Sequence, residues 1–127
     1  MIFDTDVLIW YIKGNELAQK KVEESAPFSI SVVTYMELVQ GMRNKAELKT
    51  LLKFLKKKSI SILHIDQDIS SRAMFFVEDY FLSNSLQVAD ALIVATSIQA
   101  KEVLVTANDK HYKYIPNIQI DIFRPVE

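Results

Sequence analysis

The stretch Phe28-Ser29-Ile30-Ser31-Val32-Val33-Thr34-Tyr35-Met36-Glu37 decides how this chain folds. Its first six residues follow Pro27 and are rich in β-branched and aromatic side chains, the composition of a strand. Thr34 and Glu37 then have the spacing of a capping box, in which a hydroxyl and a carboxylate satisfy backbone N–H groups at a helix start. A strand is expected over residues 28–33 and a helix from Thr34, which Gly41 can close.

The same alternation continues in both directions. Towards the amino terminus, Ile2-Phe3 predicts a very short strand ending at Asp4, followed by helices near residues 6–13 and 16–25. Towards the carboxyl terminus, Asn44 with Glu47 repeats the capping spacing and opens a helix to about Lys58. Leu48, Leu51, Leu52 and Leu55 share one face of it, and Lys45, Lys49, Lys53 and Lys56 lie elsewhere. Residues 60–65 and 103–106 read as strands, with helices over 66–82 and 87–100 between them. Residues 118–123 alternate and predict a last strand with one polar face, at a sheet edge. Strands regularly separated by helices specify a three-layer α/β/α domain with a largely parallel, roughly five-stranded sheet. The 127 residues contain no repeat, low-complexity tract or Pro/Gly-rich linker, so residues 1–127 are expected to form a single domain.

Composition removes several chemistries. With no cysteine there is no disulfide, thiolate nucleophile or thiolate metal site. Gly14 and Gly41 stand too far apart for a dinucleotide fingerprint or a Walker phosphate loop. Two histidines, His64 and His111, cannot make a three-histidine zinc site. The formal charge of −1 neither favours nor excludes nucleic acid. The longest apolar run, Val7 to Ile12, is too short to span a bilayer, and the first residues lack signal-peptide features. A cytoplasmic location without membrane contact is expected.

Catalysis must therefore rest on carboxylates, hydroxyls, amines or backbone. Asp4 ends the first strand, Glu37 follows the second, Asp109 follows the fourth, and Asp90 begins the helix that leads into the fourth. Ligands of open parallel sheets bind at the carboxyl ends of the strands; Asp4, Glu37 and Asp109 fall on that rim, and Asp90, before the fourth strand, fits the pattern less closely. Each also has a plain structural reading. Glu37 completes the capping box, Asp90 sits at the positive end of its helix, and Asp109 is a turn acid. Asp4 is the hardest to explain so, because a carboxylate beside a short apolar strand is costly to bury without a partner. Clustered carboxylates repel unless a cation joins them. Oxygen donors with no competing soft ligands favour Mg²⁺ or Mn²⁺, and the natural chemistry of such a set is metal-assisted phosphodiester hydrolysis.

Four segments, in order, resemble one family. They are Ile2-Phe3-Asp4-Thr5-Asp6-Val7-Leu8-Ile9, Ser31 to Leu38, Ala89-Asp90-Ala91-Leu92-Ile93-Val94-Ala95-Thr96, and Leu104 to Tyr112. With the ending Ile120–Pro125, they make the chain similar over its whole length to the PIN-domain ribonucleases, specifically the VapC-type toxins of toxin–antitoxin pairs. The resemblance implies an endoribonuclease dependent on Mg²⁺ or Mn²⁺ that leaves a 5′-phosphate and a 3′-hydroxyl. It also implies a small cognate VapB-type antitoxin and a toxin homodimer. By position it makes Asp4, Glu37, Asp90 and Asp109 the catalytic, metal-binding acids, with Asp6, Thr106 and Asn108 in support. Asn108 occupies an alternative position for the fourth group.

Other features carry two readings each. Between Lys45 and Lys58 there are six lysines and one acid, a local charge of +5; Lys45, Lys49 and Lys53 form either an RNA-steering surface or a solvated helix face. Trp10, Tyr11 and Tyr35 could stack on bases or pack inward. The Val7–Ile12 helix and the Phe75-Phe76 pair suit either an interface or the core. His111 is expected to be incidental, or to meet the phosphate chain, and His64 to be structural. Two rival functions stand beside the nuclease. One is a haloacid-dehalogenase-type phosphatase, suggested by Asp4-Thr5-Asp6 but lacking the later paired acids. The other is a catalytically silent partner-binding domain.

Overall fold

Ile2 and Phe3 point to opposite faces of the sheet they centre, and the rest of the molecule is arranged around that division. The computed structural model describes residues Met1–Glu127. Five strands, β1 (Ile2–Phe3), β2 (Ser29–Ser31), β3 (Ser61–Leu63), β4 (Leu104–Thr106) and β5 (Ile120–Ile122), pair in the order β3-β2-β1-β4-β5. Every pairing is parallel. The helices are α1 (Thr5–Ile12), α2 (Glu16–Ser25), α3 (Val32–Gln40), α4 (Lys45–Lys57), α5 (Gln67–Asn84) and α6 (Val88–Ala100). The expected three-layer α/β class is observed, with the sheet parallel throughout.

Successive strand residues alternate between faces, so two separate cores form. Phe3 and Val105 pack with Val7, Leu8, Val22, Leu38, Leu51 and Leu55 from α1 to α4. Ile2 and Leu104 pack with Ile69, Ala73, Ala91, Ile93 and Val94 from α5 and α6. Phe3 and Phe28 stack at 3.9 Å between ring centroids, tying β1 to the entry of β2. The chain runs outward through β1, β2 and β3, then returns to the other side of β1 for β4 and β5. The strand order therefore reverses between β1 and β4, the point at which a crevice opens beyond the carboxyl ends of the strands. Asp4 follows β1 at that point.

Several boundaries differ from the sequence reading. The strand expected over residues 28–33 ends at Ser31, whose Oγ accepts the Val33 N–H at 3.1 Å and caps α3. The capping box placed on Thr34 and Glu37 is therefore not formed, because the helix starts two residues earlier and both side chains lie within it. Gly41 does close α3, donating its N–H to Glu37 and Leu38 carbonyls, without a left-handed turn. The alternation over 118–123 puts β5 at an edge as expected, with Ile118 and Ile120 packed on the core and Asp121 on the opposite, polar face. Asp121 is held by Lys21 at 2.6 Å, Ile122 is exposed, and Phe123 turns into the core beyond the strand. No helix is long and apolar enough to cross a membrane.

Candidate active site

Short strands leave few ways to end, and their ends carry the polar groups that the core refuses. Asp4 leaves β1 in extended conformation and enters α1 directly. Its carboxylate is 4% exposed, yet no cationic side chain pairs with it. It is instead surrounded by donors. Oδ1 accepts the Thr5 N–H at 2.8 Å, and Oδ2 accepts the Thr106 hydroxyl at 2.8 Å and the Tyr112 hydroxyl at 3.0 Å. Burial, followed by repulsion from Asp6, pushes Asp4 up to about 7 despite these bonds. Asp6, in the first turn of α1, is also pushed up by burial; its Oδ2 accepts the Ala107 N–H at 2.9 Å.

Asp90 lies in the first turn of α6 and reaches the same place from the other layer. Its Oδ1 is 3.2 Å from the Tyr112 hydroxyl, which therefore touches both Asp4 and Asp90. Its Oδ2 lies 3.6 Å from Nδ1 of the exposed His111, so that histidine stands at the site. Glu37 arrives from α3. Its Oε1 accepts the Thr5 hydroxyl at 2.7 Å, and Thr5 Oγ1 is 3.0 Å from the buried Thr34 hydroxyl. With the capping box gone, this bond is what orients Glu37.

Asp109 is placed differently. It sits in a short 3-10 turn, Asp109–His111, after β4, and Arg124 Nη2 donates to its Oδ1 at 2.8 Å. That hydrogen bond holds its carboxyl below the usual carboxylate range. Among the acids named from the sequence, the structure brings Asp4, Asp6 and Asp90 near one another beyond the end of β1, with Glu37 linked through Thr5. Asp109 stands on the rim in an arginine clamp. Asn108 is exposed and gives the site only its backbone N–H, which donates to Thr106 Oγ1 at 3.0 Å. Thr106 is fully buried and bonded to Asp4.

The sequence reading gave no role to Thr5, Tyr112 or Arg124. Thr5 and Tyr112 lay inside the quoted segments, and their hydroxyls beside acids were the available signal. Arg124, more than a dozen positions from Asp109, offered none. His64, expected to be structural, is exposed beyond β3. Tyr11 stacks on Phe54 at 4.7 Å and Tyr35 packs against the core, so both face inward. Trp10 is half-exposed, with the Lys13 ammonium 5.7 Å from its ring. Lys45, Lys49 and Lys53 form no ion pair, and with Leu48, Leu52 and Lys56 they line a shallow groove along α4.

A buried carboxylate without a countercharge, two more close by and only hydroxyls between them is a donor set suited to a hard cation. No three of these side chains close around a single point, so an ion held here would need water for the rest of its shell. One consequence is measurable without any ligand. Asp4 titrates near 7 when folded but near 3.8 when unfolded, so the folded chain holds the extra proton between these values. In chelator, stability is expected to fall as pH rises from about 4 to about 7. Urea melts across that range should show the slope in the native chain and a shallower one in Asp4→Asn.

The PIN-domain family model matches residues 1–117 of the chain. No curated protein matches it by sequence. Among solved structures, a toxin–antitoxin complex from Klebsiella pneumoniae has a chain 28% identical, with a TM-score of 0.79 over 99% of this chain and 98% of that one. A VapBC2 chain from Rickettsia felis, solved bound to a promoter DNA fragment, matches with TM-score 0.79 at 20% identity, covering 98% and 100%. A VapBC-1 chain from Haemophilus influenzae matches with TM-score 0.77 at 20% identity, covering 96% and 98%. The family match over nearly the whole chain agrees with the rim of acids at the sheet's switch point: the chain belongs to the PIN-domain family.

Proposed function

We propose that the protein is a divalent-cation-dependent endoribonuclease acting as the toxin of a toxin–antitoxin pair. The observation that carries this reading is the buried Asp4 carboxylate, which has Asp6 and Asp90 beside it and no cationic side chain. Asp4 and Asp90 would hold Mg²⁺ or Mn²⁺, with Asp6 and Glu37 completing the polar surround and Asp109 at its edge. When bound, such an ion supplies Lewis acidity at the scissile phosphate and acidifies a water. The chain's own groups orient the acids: Thr5 holds Glu37, Thr106 holds Asp4, and the Ala107 N–H holds Asp6.

The solved neighbours described as toxin–antitoxin and VapBC assemblies support a small VapB-type antitoxin as partner. Ile9, Trp10 and Ile12 of α1, all exposed, offer it apolar area. A homodimer is supported by a second exposed apolar face on α5, with Met74, Phe75, Phe81 and Leu82. Lys45, Lys49 and Lys53 remain free to steer RNA by its backbone charge.

The deciding experiment is cleavage of RNA by the purified chain in Mn²⁺ or Mg²⁺ and in chelator. RNA cleavage that requires the cation is expected, with a melting temperature raised by about 5–10 °C when the cation is about a hundredfold above its Kd. Chelator-insensitive cleavage would remove the metal from the reading. Hydrolysis of a small phosphomonoester with RNA left intact would favour the phosphatase instead.

A further inference from the structure

Tyr112 is the largest fully buried side chain of the molecule, 1% exposed, with its ring in the core between the sheet and α5 and α6. A phenylalanine would fill that apolar space, so packing alone does not call for the hydroxyl, and burying a hydroxyl is costly unless it is bonded. Here it lies 3.0 Å from Asp4 Oδ2 and 3.2 Å from Asp90 Oδ1. Asp4 comes from the end of β1 and Asp90 from α6, which otherwise meet only through the core. A phenol has one proton to give, so its O–H donates to one carboxylate at a time while its oxygen stays within reach of the other. The opposite oxygens are held elsewhere, Asp4 Oδ1 by the Thr5 N–H and Asp90 Oδ2 beside His111.

We propose that Tyr112 is a positioning residue that sets the separation of Asp4 and Asp90 for a divalent cation, Mg²⁺ or Mn²⁺. This rests on the reading of these acids as the cation site. Because both carboxylates lie within hydrogen-bond reach of one oxygen, their spacing is fixed before the ion arrives, and binding needs less rearrangement. The hydroxyl acts through the acids and touches neither the ion nor RNA.

The test is Tyr112→Phe, which keeps the ring, followed by direct titration with Mn²⁺ and Mg²⁺ by calorimetry and by electron paramagnetic resonance of free Mn²⁺. A Kd weakened about 10- to 100-fold is expected, with a native circular dichroism spectrum. Ile115→Val, a change in the same core cluster, is the comparison: it lowers melting temperature and keeps the native Kd. An unchanged or tighter Kd in Tyr112→Phe overturns the inference alone, since native binding would still support the cation reading. An equal loss in Ile115→Val also overturns it, because general loosening of the core would then be the cause. A native chain that binds neither cation overturns both readings together.

Discussion

Replacing Asp4 by asparagine is expected to cut RNA cleavage by at least about 100-fold while leaving the fold intact. Asparagine is nearly isosteric and can still accept the Thr5 N–H that Asp4 Oδ1 accepts at 2.8 Å. Its amide faces the Thr106 and Tyr112 hydroxyls, which can both turn to accept. What disappears is a charge that burial disfavours. In chelator at pH 8 the variant is therefore expected to melt above the native protein, because the native chain must keep an ionised Asp4 in a place that raises it to about 7. Added Mn²⁺ should then stabilise the native chain and leave Asp4→Asn almost unmoved. A variant that loses activity and becomes more stable identifies a residue whose strain serves the site. Native cleavage by a clean preparation of Asp4→Asn would remove Asp4 from the chemistry.

The largest stability effect is expected from Phe3→Ala. Phe3 is fully buried in a two-residue central strand, with its ring 3.9 Å from that of Phe28. Truncation removes about 3–5 kcal/mol of packing, and the lost aromatic pair adds to it. Domains of this size have about 5–15 kcal/mol in total, so the variant should be largely unfolded at physiological temperature or melt far below native. The loss also reaches the site, because Phe3 immediately precedes Asp4 and anchors it to the sheet. Phe75→Ala is the control: Phe75 is 55% exposed on α5, and its loss from the isolated chain should stay within about 0.5 kcal/mol. Urea denaturation of both variants checks the pair. A Phe3→Ala chain within about 1 kcal/mol of native would show that β1 does not hold the two cores together.

Local physics makes the helix starts legible in the sequence. Asn15, Asn44 and Asp66 cap helices with side-chain oxygens, as polar residues before apolar periodic stretches should. The order of strands and helices was legible for the same reason. The capping box at Thr34 failed because Ser31, three residues earlier, caps the helix in place of Thr34. Tertiary structure chose between them: Thr34 is buried beside Thr5 and Ser31 ends the strand. On the edge strand, the partner of Asp121 is Lys21, far away in sequence.

For the site the division is sharper. The residues themselves narrowed which chemistry is open, since an absence of cysteine and a scarcity of histidine leave oxygen donors, the type that hard cations take. They also determined that Asp4, Glu37, Asp90 and Asp109 fall near strand ends and helix starts, because local periodicity sets those ends. Which acids share a point was decided only in three dimensions. Asp6 joins Asp4 because the first turn of α1 packs beside the end of β4, where the Ala107 N–H donates to it. Asp109 is drawn to Arg124 across 15 positions of chain, a pairing no local pattern announces. Tyr112 bridges Asp4 and Asp90 across 108 and 22 positions. Hydrogen bonds to a buried carboxylate depend on which elements the packing of two opposite cores brings together, and that is a property of the whole chain.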